Sequence, residues 1–490
     1  MNTKALRQKV LDLAIHGKLV PQNPNDESAT VLLEKIRAEK AEKIKKGELK
    51  ADKKDSFIFV GSDKRHYEQF ADGTVKDIED EIPFEVPDGW AWCRLGELFY
   101  HTTGKALKKS NNKGSLRKYI TTSNLYWNKF DFTEVREMYF TDDELDKCTI
   151  KKGDLVLCNG GDVGRAAIWN YNEDICYQNH VSRLRPKIEG INNSLYLYLL
   201  MFYKEQGMLN GKGVGITSLS ANDLLSAIFP LPPLNEQNSI VTSIENIFEQ
   251  IEHLDQEKSD LQTIIKQTKS KILDLAIHGK LVPQNPNDEP VEELLKRIAT
   301  SDNRPYEKVD DEPFEIPDSW CWCNLGMIGT WKAGCTPNKK NIDYYKNGTI
   351  PWMLTGDLND NFITNIPNKI TDLAYKQTSL KLNPANSVCI AMYGATIGKL
   401  GILSFPSTTN QACCVCSDYQ GIFYKYLFYF LMQHKNEFIQ QGFGGAQPNI
   451  SKEKIISTLI PLPPLNEQNR IVYKIEELYT FLDQIQNNLV

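Results

Sequence analysis

No apolar run in this chain reaches the length needed to cross a bilayer, and the opening MNTKALRQKV has no apolar core of a secretory signal. The expected location is the cytoplasm, with no membrane partner. Positive charge is not in excess: 57 Lys and Arg stand against 63 Asp and Glu, a net charge of −6. That balance excludes a surface that coats nucleic acid everywhere, so any such contact must be local. The 11 cysteines are odd in number and scattered, which suits reduced thiols. Catalytic signatures are missing too: there is no Walker loop, no HExxH and no GxSxG. GFGGAQPN (Gly442–Asn449) lacks the apolar strand that precedes a nucleotide-binding glycine loop. PLPPLN is the nearest approach to the Asn/Asp-Pro-Pro-aromatic loop of an adenine methyltransferase, but Leu follows its Pro pair. The Pro-Asp pairs at Pro87 and Pro317 are not followed by the acidic-x-Lys of a nuclease. Cys413-Cys414-Val415-Cys416 is half a zinc pattern without a second half, and reads as a buried strand. No catalytic residue and no metal ligand is assigned.

What the chain does have is itself, twice. LDLAIHGKLVPQNPNDE runs from Leu11 to Glu27 and again from Leu273 to Glu289; PFEVPDGWAWCRLG (Pro83–Gly96) returns as PFEIPDSWCWCNLG (Pro313–Gly326); PLPPLNEQN (Pro230–Asn238) returns at Pro461–Asn469. The length of 490 residues suits two or three domains, and this order of landmarks makes the chain a duplication. Between the landmarks the halves keep only a skeleton. KKGDLVLCNGGDVGRAAIW (Lys151–Trp169) and PANSVCIAMYGATIGKLGIL (Pro384–Leu403) each read as strand, glycine turn, strand. The first half also carries an insertion containing EKIRAEKAEKIKKGELKADKKD, which reads as a solvated helix running into a mobile linker.

Between Glu236 and His278 there is neither Pro nor Gly. Ile240, Ile244, Ile247, Ile251, Leu254, Leu261, Ile265, Ile272 and Leu275 fall on a/d heptad positions, the seam of a coiled coil about 65 Å long. Asn235 is placed to cap its start and Gly279 to end it. Ile471, Ile475, Leu478, Leu482, Ile485 and Leu489 repeat the first part of this helix at the C-terminus; Leu6, Val10 and Leu13 repeat its last part at the N-terminus. The two chain ends are thus, in sequence, the two pieces of the central helix. Docked together they would close a pseudo-two-fold, circular molecule. His16 and His278 sit where an imidazole caps a helix C-terminus.

Positive charge is concentrated in GKALKKSNNKGSLRK, with Lys105, Lys108, Lys109, Lys113, Arg117 and Lys118 and no acid. The matching stretch of the second half, WKAGCTPNKKNIDYYK, supplies Lys332, Lys339, Lys340 and Lys346, with Thr336 between. Loops of this composition suit a phosphate backbone. Amide and hydroxyl groups recur in register: Gln178, Asn179 and His180 against Asn410 and Gln411, and Thr217 and Ser218 against Pro448 and Asn449, beside Gln447. Amides can read adenine bidentately. Arg165 and Lys399 share a place after the glycine turn, suited to phosphate or base. Trp90, Trp92, Trp320 and Trp322 read as core rather than stacking platforms.

Two diverged domains, each ending in Pro-Leu-Pro-Pro-Leu-x-Glu-Gln and a long helix, resemble the specificity (S) subunit of type I restriction–modification systems. Gly334, Thr336 and Pro337, GTIPWMLTGDL (Gly348–Leu358) and GGAQPNIS (Gly444–Ser451) resemble that family's target-recognition domain; the first domain departs, with Thr-Ser-Leu-Ser where the second has Pro-Asn-Ile-Ser. The resemblance implies an α+β fold: two tandem mixed α/β target-recognition domains separated by long antiparallel coiled-coil helices. The expected division is an N-terminal helix and turn (1–28) docked on the C-terminal helix, a charged helix and linker (29–82), domain one (83–234), the central helix (235–282), a helix and linker (283–312), domain two (313–465) and the C-terminal helix (466–490). It further implies a non-catalytic subunit. Its partners would be double-stranded DNA, two adenine methyltransferase subunits and restriction subunits, which bring S-adenosylmethionine, ATP and Mg²⁺. A protein-only scaffold gripping two unlike protein ligands is the alternative; an enzyme with an unrecognised motif is another.

Overall fold

The computed structural model describes residues 2–48, 55–107, 113–209, 218–302, 309, 312–442 and 449–489. The chain divides into two units, 1–257 and 258–490. The division falls inside a single 44-residue helix, Leu234–Ile277. Pro232 and Pro233 stand just before it. It starts at Leu234, so Asn235 lies in its first turn and donates to Asp26 (3.1 Å) instead of capping. It ends where Gly279 turns left-handed (φ +66°) and Lys280 N–H donates back to Leu275 O at 2.9 Å. The N-terminal helix, Thr3–Ile15, ends the same way at Gly17 (φ +64°), with Lys18 N–H on Leu13 O at 2.7 Å. His16 and His278 each turn Nδ1 to a carbonyl one turn back, Asp12 O and Asp274 O, both at 2.7 Å.

In the first unit the N-terminal helix runs antiparallel to the first half of the central helix. Val10, Leu11, Ala14 and Ile15 share a core with Ile240, Val241 and Ile244, with Ile247 and Phe248 at its margin. The seam opens where the N-terminal helix begins: Arg7 still reaches Asp255 at 3.5 Å, but Leu6 is 36% exposed and Leu254 40%. In the second unit the same pairing is made by the other pieces. Ile272, Leu273, Ala276 and Ile277 pack with Ile471, Val472 and Ile475 of the helix Leu465–Asn488, flanked by Leu478 and Leu482. Tyr479 Oη donates to Lys269 O at 3.0 Å. Between these sets Ile251 and Ile265 are buried and Leu261 half-buried. Within its unit the N-terminal helix packs against the first half of the central helix and against the helix Asn193–Glu205.

Each unit carries a head of related topology. In the first, a four-stranded antiparallel sheet runs in the order Ala166–Ile168, Leu155–Cys158, Val181–Pro186, Phe99–Thr103. In the second the order is Asn361–Ile363, Leu400–Leu403, Val388–Ala391, Cys413–Ser417, Thr330–Ala333, with the first pair parallel. The strand–glycine turn–strand skeleton supplies two adjacent strands of each sheet. Cys413, Cys414 and Cys416 are fully buried in the strand beside it in the second head, and all eleven cysteines are free thiols. A smaller sheet stacks on each, built around Ser115–Ile120 and around Ile350–Met353.

The insertion is more ordered than a helix and linker. Ala29–Lys45 is a helix that buries Leu32, Leu33 and Ile36 in the core of its unit. From Ser56 the chain forms a three-stranded antiparallel meander, Ser56–Val60, His66–Phe70 and Val75–Asp77. Its face carries Ile58 onto Trp92, Ile78 and Ile228. Glu68, 4% exposed, is gripped by the Arg94 guanidinium at 2.6 and 3.1 Å and by the Ser56 hydroxyl at 2.5 Å. Burial works to raise the Glu68 pKa, but the bonds from Arg94 and Ser56 outweigh it and hold the carboxyl below its usual value. In the second half Asn324 stands where Arg94 stands in the first.

The three repeated landmarks meet at one corner of each unit. Glu236, 4% exposed, accepts Trp90 Nε1–H at 2.9 Å and Gln22 Nε2–H at 2.6 Å. Glu467 accepts Trp320 Nε1–H at 3.0 Å and Gln284 Nε2–H at 2.6 Å. The next residue ties the corner to the head: Gln237 accepts from Asn192 N–H (3.0 Å) and Gln468 from Phe423 N–H (2.7 Å). A Cβ on Gly17 would fall 2.3 Å from Pro87 Cγ, and one on Gly279 2.4 Å from Pro317 Cγ, so each glycine is fixed by crowding as well as by φ.

Candidate nucleic-acid interface

At one end of each main sheet the chain is threaded the same way. After strand Phe99–Thr103 the backbone passes so close to its neighbour that a Cβ on Gly104 would lie 2.2 Å from Tyr177 O; after Thr330–Ala333, Gly334 stands at the same 2.2 Å from Thr409 O and Asn410 O. Only glycine fits. The following residues are tied down through the backbone: Lys105 N–H to Tyr177 O and Asn179 N–H to Lys105 O, both 3.0 Å, in the first head, and Cys335 N–H to Thr409 O, 3.0 Å, in the second. The glycine turn of the skeleton closes the same end. Asn159 N–H donates to His180 O (3.0 Å) and Gly160 pairs with Ser218; Met392 N–H donates to Ala412 O (2.8 Å) and Tyr393 pairs with Asn449. The structure thus brings together Lys105, Gln178, Asn179 and His180 in one head, and Thr336, Asn410, Gln411 and Asn449 in the other.

The side chains at these ends are not equally available. Lys105, 8% exposed at its side chain, spends its ammonium on Glu144 and on Tyr139 O, both 2.6 Å, bracing the loop against the smaller sheet. That bond is the largest influence lowering the Glu144 pKa. Arg165 is likewise held, by Thr122 O (2.7 Å) and Asp162 (3.2 Å), with its guanidinium 5.0 Å from the Tyr126 ring centroid. Both were expected to face a phosphate or a base; Glu144 and Tyr139 O engage the lysine, and Thr122 O and the nearby Asp162 engage the arginine. Lys332 stands 3.7 Å from Asp418, and Lys399 is half-buried. Lys113, Arg117 and Lys118 are exposed at and beside the strand Ser115–Ile120, as are Lys339 and Lys340 on the loop after Thr336. Gln178 and Asn179 are half-buried, and His180, Gln411 and Asn449 exposed. Asn410 turns its Oδ1 inward, buried and unpartnered. Lys108, Lys109 and Gln447 lie outside the described residues.

Sequence reasoning did not single out Asn159 or Tyr393. Asn159 Nδ2 donates to Asn179 O (3.2 Å) and Ser182 Oγ (3.0 Å), holding the polar end in place. Tyr393, 38% exposed, presents a ring beside Asn449. Their place at the glycine turn of each head was the available signal. Nor was the repeated Glu-Gln of PLPPLNEQN seen as a buried hinge, although an acidic residue kept in both copies beside a proline pair could have suggested one.

A duplicated helical frame carrying two diverged, polar sheet ends defines a two-headed recognition protein. The family model described as type I restriction modification DNA specificity domain matches residues 87–263 and 317–489. The type I restriction enzyme EcoAI specificity subunit of Escherichia coli is 27% identical over 97% of this chain and 88% of its own length. The EcoEI specificity subunit of the same organism is 26% identical over 99% and 90%. The crystal structure of the HsdS subunit from Thermoanaerobacter tengcongensis, at 19% identity, shares the fold over 83% of this chain and 94% of its own, with a TM-score of 0.53. The chain belongs to the type I restriction–modification specificity subunit family, with two tandem target-recognition domains. That membership sets aside the protein-only scaffold. Among the described residues no helix is long and apolar enough to cross a membrane.

Proposed function

We propose that each head reads one half of a bipartite, asymmetric DNA site, leaving a spacer between unread, and that the chain itself catalyses nothing. The reading rests on one observation above others: the corners of the two units are built from the same residues, while the matched groups at the sheet ends differ, Asn179 against Gln411, His180 against Ala412 and Ser218 against Asn449. Exposed lysines flank those ends and suit phosphate; the amides between them suit base edges. The helices dock two adenine methyltransferase subunits, and restriction subunits join that core in the cytoplasm. Those subunits supply S-adenosylmethionine, ATP and Mg²⁺. Selection of bound sequences from a randomised duplex library by the full chain tests the reading. Two unlike half-sites at fixed spacing, with affinity falling steeply as salt rises, are expected. A single site, or binding indifferent to salt, would refute it.

A further inference from the structure

We infer that Gln411 is the base-reading group of the second head, that it takes an adenine edge in the major groove, and that Thr336 sets the orientation of its amide. The inference rests on the DNA-reading role proposed above and adds a residue, a base and a positioning partner to it.

Gln411 is exposed at the sheet end, directly after the residue whose amide oxygen turns inward. The Thr336 hydroxyl donates to its Oε1. An amide side chain left to itself swings among its rotamers; this bond holds the Gln411 amide against the braced loop, with Oε1 toward Thr336 and Nε2 away from it. The bond leaves Oε1 a second lone pair and, among the described residues, leaves both N–H groups of Nε2 unspent. Bidentate reading of adenine needs this pair: an acceptor for the N6 amino group beside a donor for N7.

Thr336 can act as a fixed brace only if its own loop is fixed, and it is held on every side. Gly334 is wedged against Thr409 O and Asn410 O, and Cys335 N–H is bonded to Thr409 O at 3.0 Å. Trp352 Nε1–H donates to Cys335 O at 3.1 Å, and Tyr345 Oη to Pro337 O at 2.5 Å. A reading group pre-oriented in this way loses little freedom on binding. Lys339 and Lys340 continue the same loop, exposed, where they would meet the backbone beside the base. The first head lacks the device. Ala106 stands where Thr336 stands, Asn179 where Gln411 stands, and an exposed His180 replaces Ala412. The two heads therefore read by different groups, as an asymmetric site requires.

The test is sequence selection from randomised duplex DNA by the full chain, comparing wild type with Gln411→Ala, Thr336→Val, Thr336→Ser and the pair Lys339→Ala/Lys340→Ala. In Gln411→Ala the preference for adenine at one position of one half-site should fall roughly tenfold to a hundredfold, with the other half-site untouched. Thr336→Val should relax the same position while Thr336→Ser keeps it. The lysine pair should weaken binding to all sequences and lower the salt dependence by about one unit of slope per lysine, without changing the bases chosen. If Gln411→Ala leaves every base preference as it was, or alters a position that is not adenine, this inference is wrong while the DNA-reading role stands. If the wild-type chain selects no sequence at all, the role proposed above fails, and this one with it.

Discussion

The corner hydrogen bonds give the sharpest energetic prediction. Trp90→Phe keeps a ring in place but deletes the N–H that Glu236 Oε2 accepts at 2.9 Å, leaving that oxygen unpartnered in a residue only 4% exposed. Hydrogen bonds to charged groups contribute about 1.5–3 kcal/mol, and the smaller ring adds roughly 1 kcal/mol of packing loss. The two contributions separate by pH. Burial raises the Glu236 carboxyl above its ordinary value, and the donors Trp90 and Gln22 pull it back. With a folded value above the unfolded one, the native state holds the extra proton. The stability this group contributes is therefore fully present below the unfolded value and is lost as pH rises through the folded value. Removing the Trp90 donor raises the folded value further, so the penalty should be larger at pH 8 than at pH 5. The packing loss should be the same at both.

Trp320→Phe should show the same sign at Glu467, but less of it. Burial again raises that carboxyl, and Asp288 raises it too, but Arg470, bonded to Asp288 at 2.7 Å, lowers it. Asp26 likewise pushes Glu236 up, and Ser239 stands where Arg470 stands. Because the chain has two units, the assay must be local. Amide hydrogen exchange over Thr3–Ile15 and Leu465–Asn488 reads each corner separately. A penalty independent of pH, or a larger one at Trp320 than at Trp90, would refute the argument.

Other consequences follow from the same contacts. Arg94→Ala leaves Glu68 buried and uncompensated, a loss of about 3–5 kcal/mol; exchange protection across Ser56–Asp77 should collapse while the second unit is unchanged, and retained protection would mean the meander is held otherwise. Gly17→Ala and Gly279→Ala each force a Cβ into a proline ring and an L-residue into a left-handed turn, costing at least about 1–2 kcal/mol by amide exchange over Thr3–Ile15 and Leu465–Asn488 respectively; a neutral result would show that the corner yields. Inserting seven residues into the central helix near Leu254 should change the spacing between half-sites selected from random DNA and leave the bases unchanged; altered bases at unchanged spacing would contradict the spacer role.

The duplication was legible because its landmarks are identical strings, and the strand–glycine turn–strand skeleton because Leu155–Cys158 and Val388–Ala391 are short apolar runs before glycines. The meander was not legible. Its strands follow a run of lysines and glutamates, and its aromatic residues become a face only when Glu68 finds Arg94, 26 positions on. Lys105 and Arg165 misled for a related reason. A basic residue in a basic or glycine-rich stretch reads as free, yet Glu144 and Thr122 O arrive from elsewhere in the fold to take them. The heptads continued through Leu254, but periodicity does not say where a partner helix begins.

The contrast between fixed corners and divergent heads has a physical root in which atoms make the bonds. At the corners the bonds run between side chains: Trp90 and Gln22 to Glu236, Trp320 and Gln284 to Glu467. Such bonds demand the same residue types in both copies, so any change there unseats a head from its helix. At the sheet ends the loops are held by backbone groups, Lys105 N–H on Tyr177 O and Cys335 N–H on Thr409 O, with a glycine fixing each approach. A backbone bond is indifferent to the side chain it carries. Lysine and cysteine both make that backbone bond, lysine adding its own side-chain brace to Glu144, and the groups beyond it, Ala106 or Thr336, Asn179 or Gln411, can change without breaking the backbone bond. Corners fixed by side chains and sheet ends threaded by main chain let one fold acquire new groups at its sheet ends while its corners stay the same.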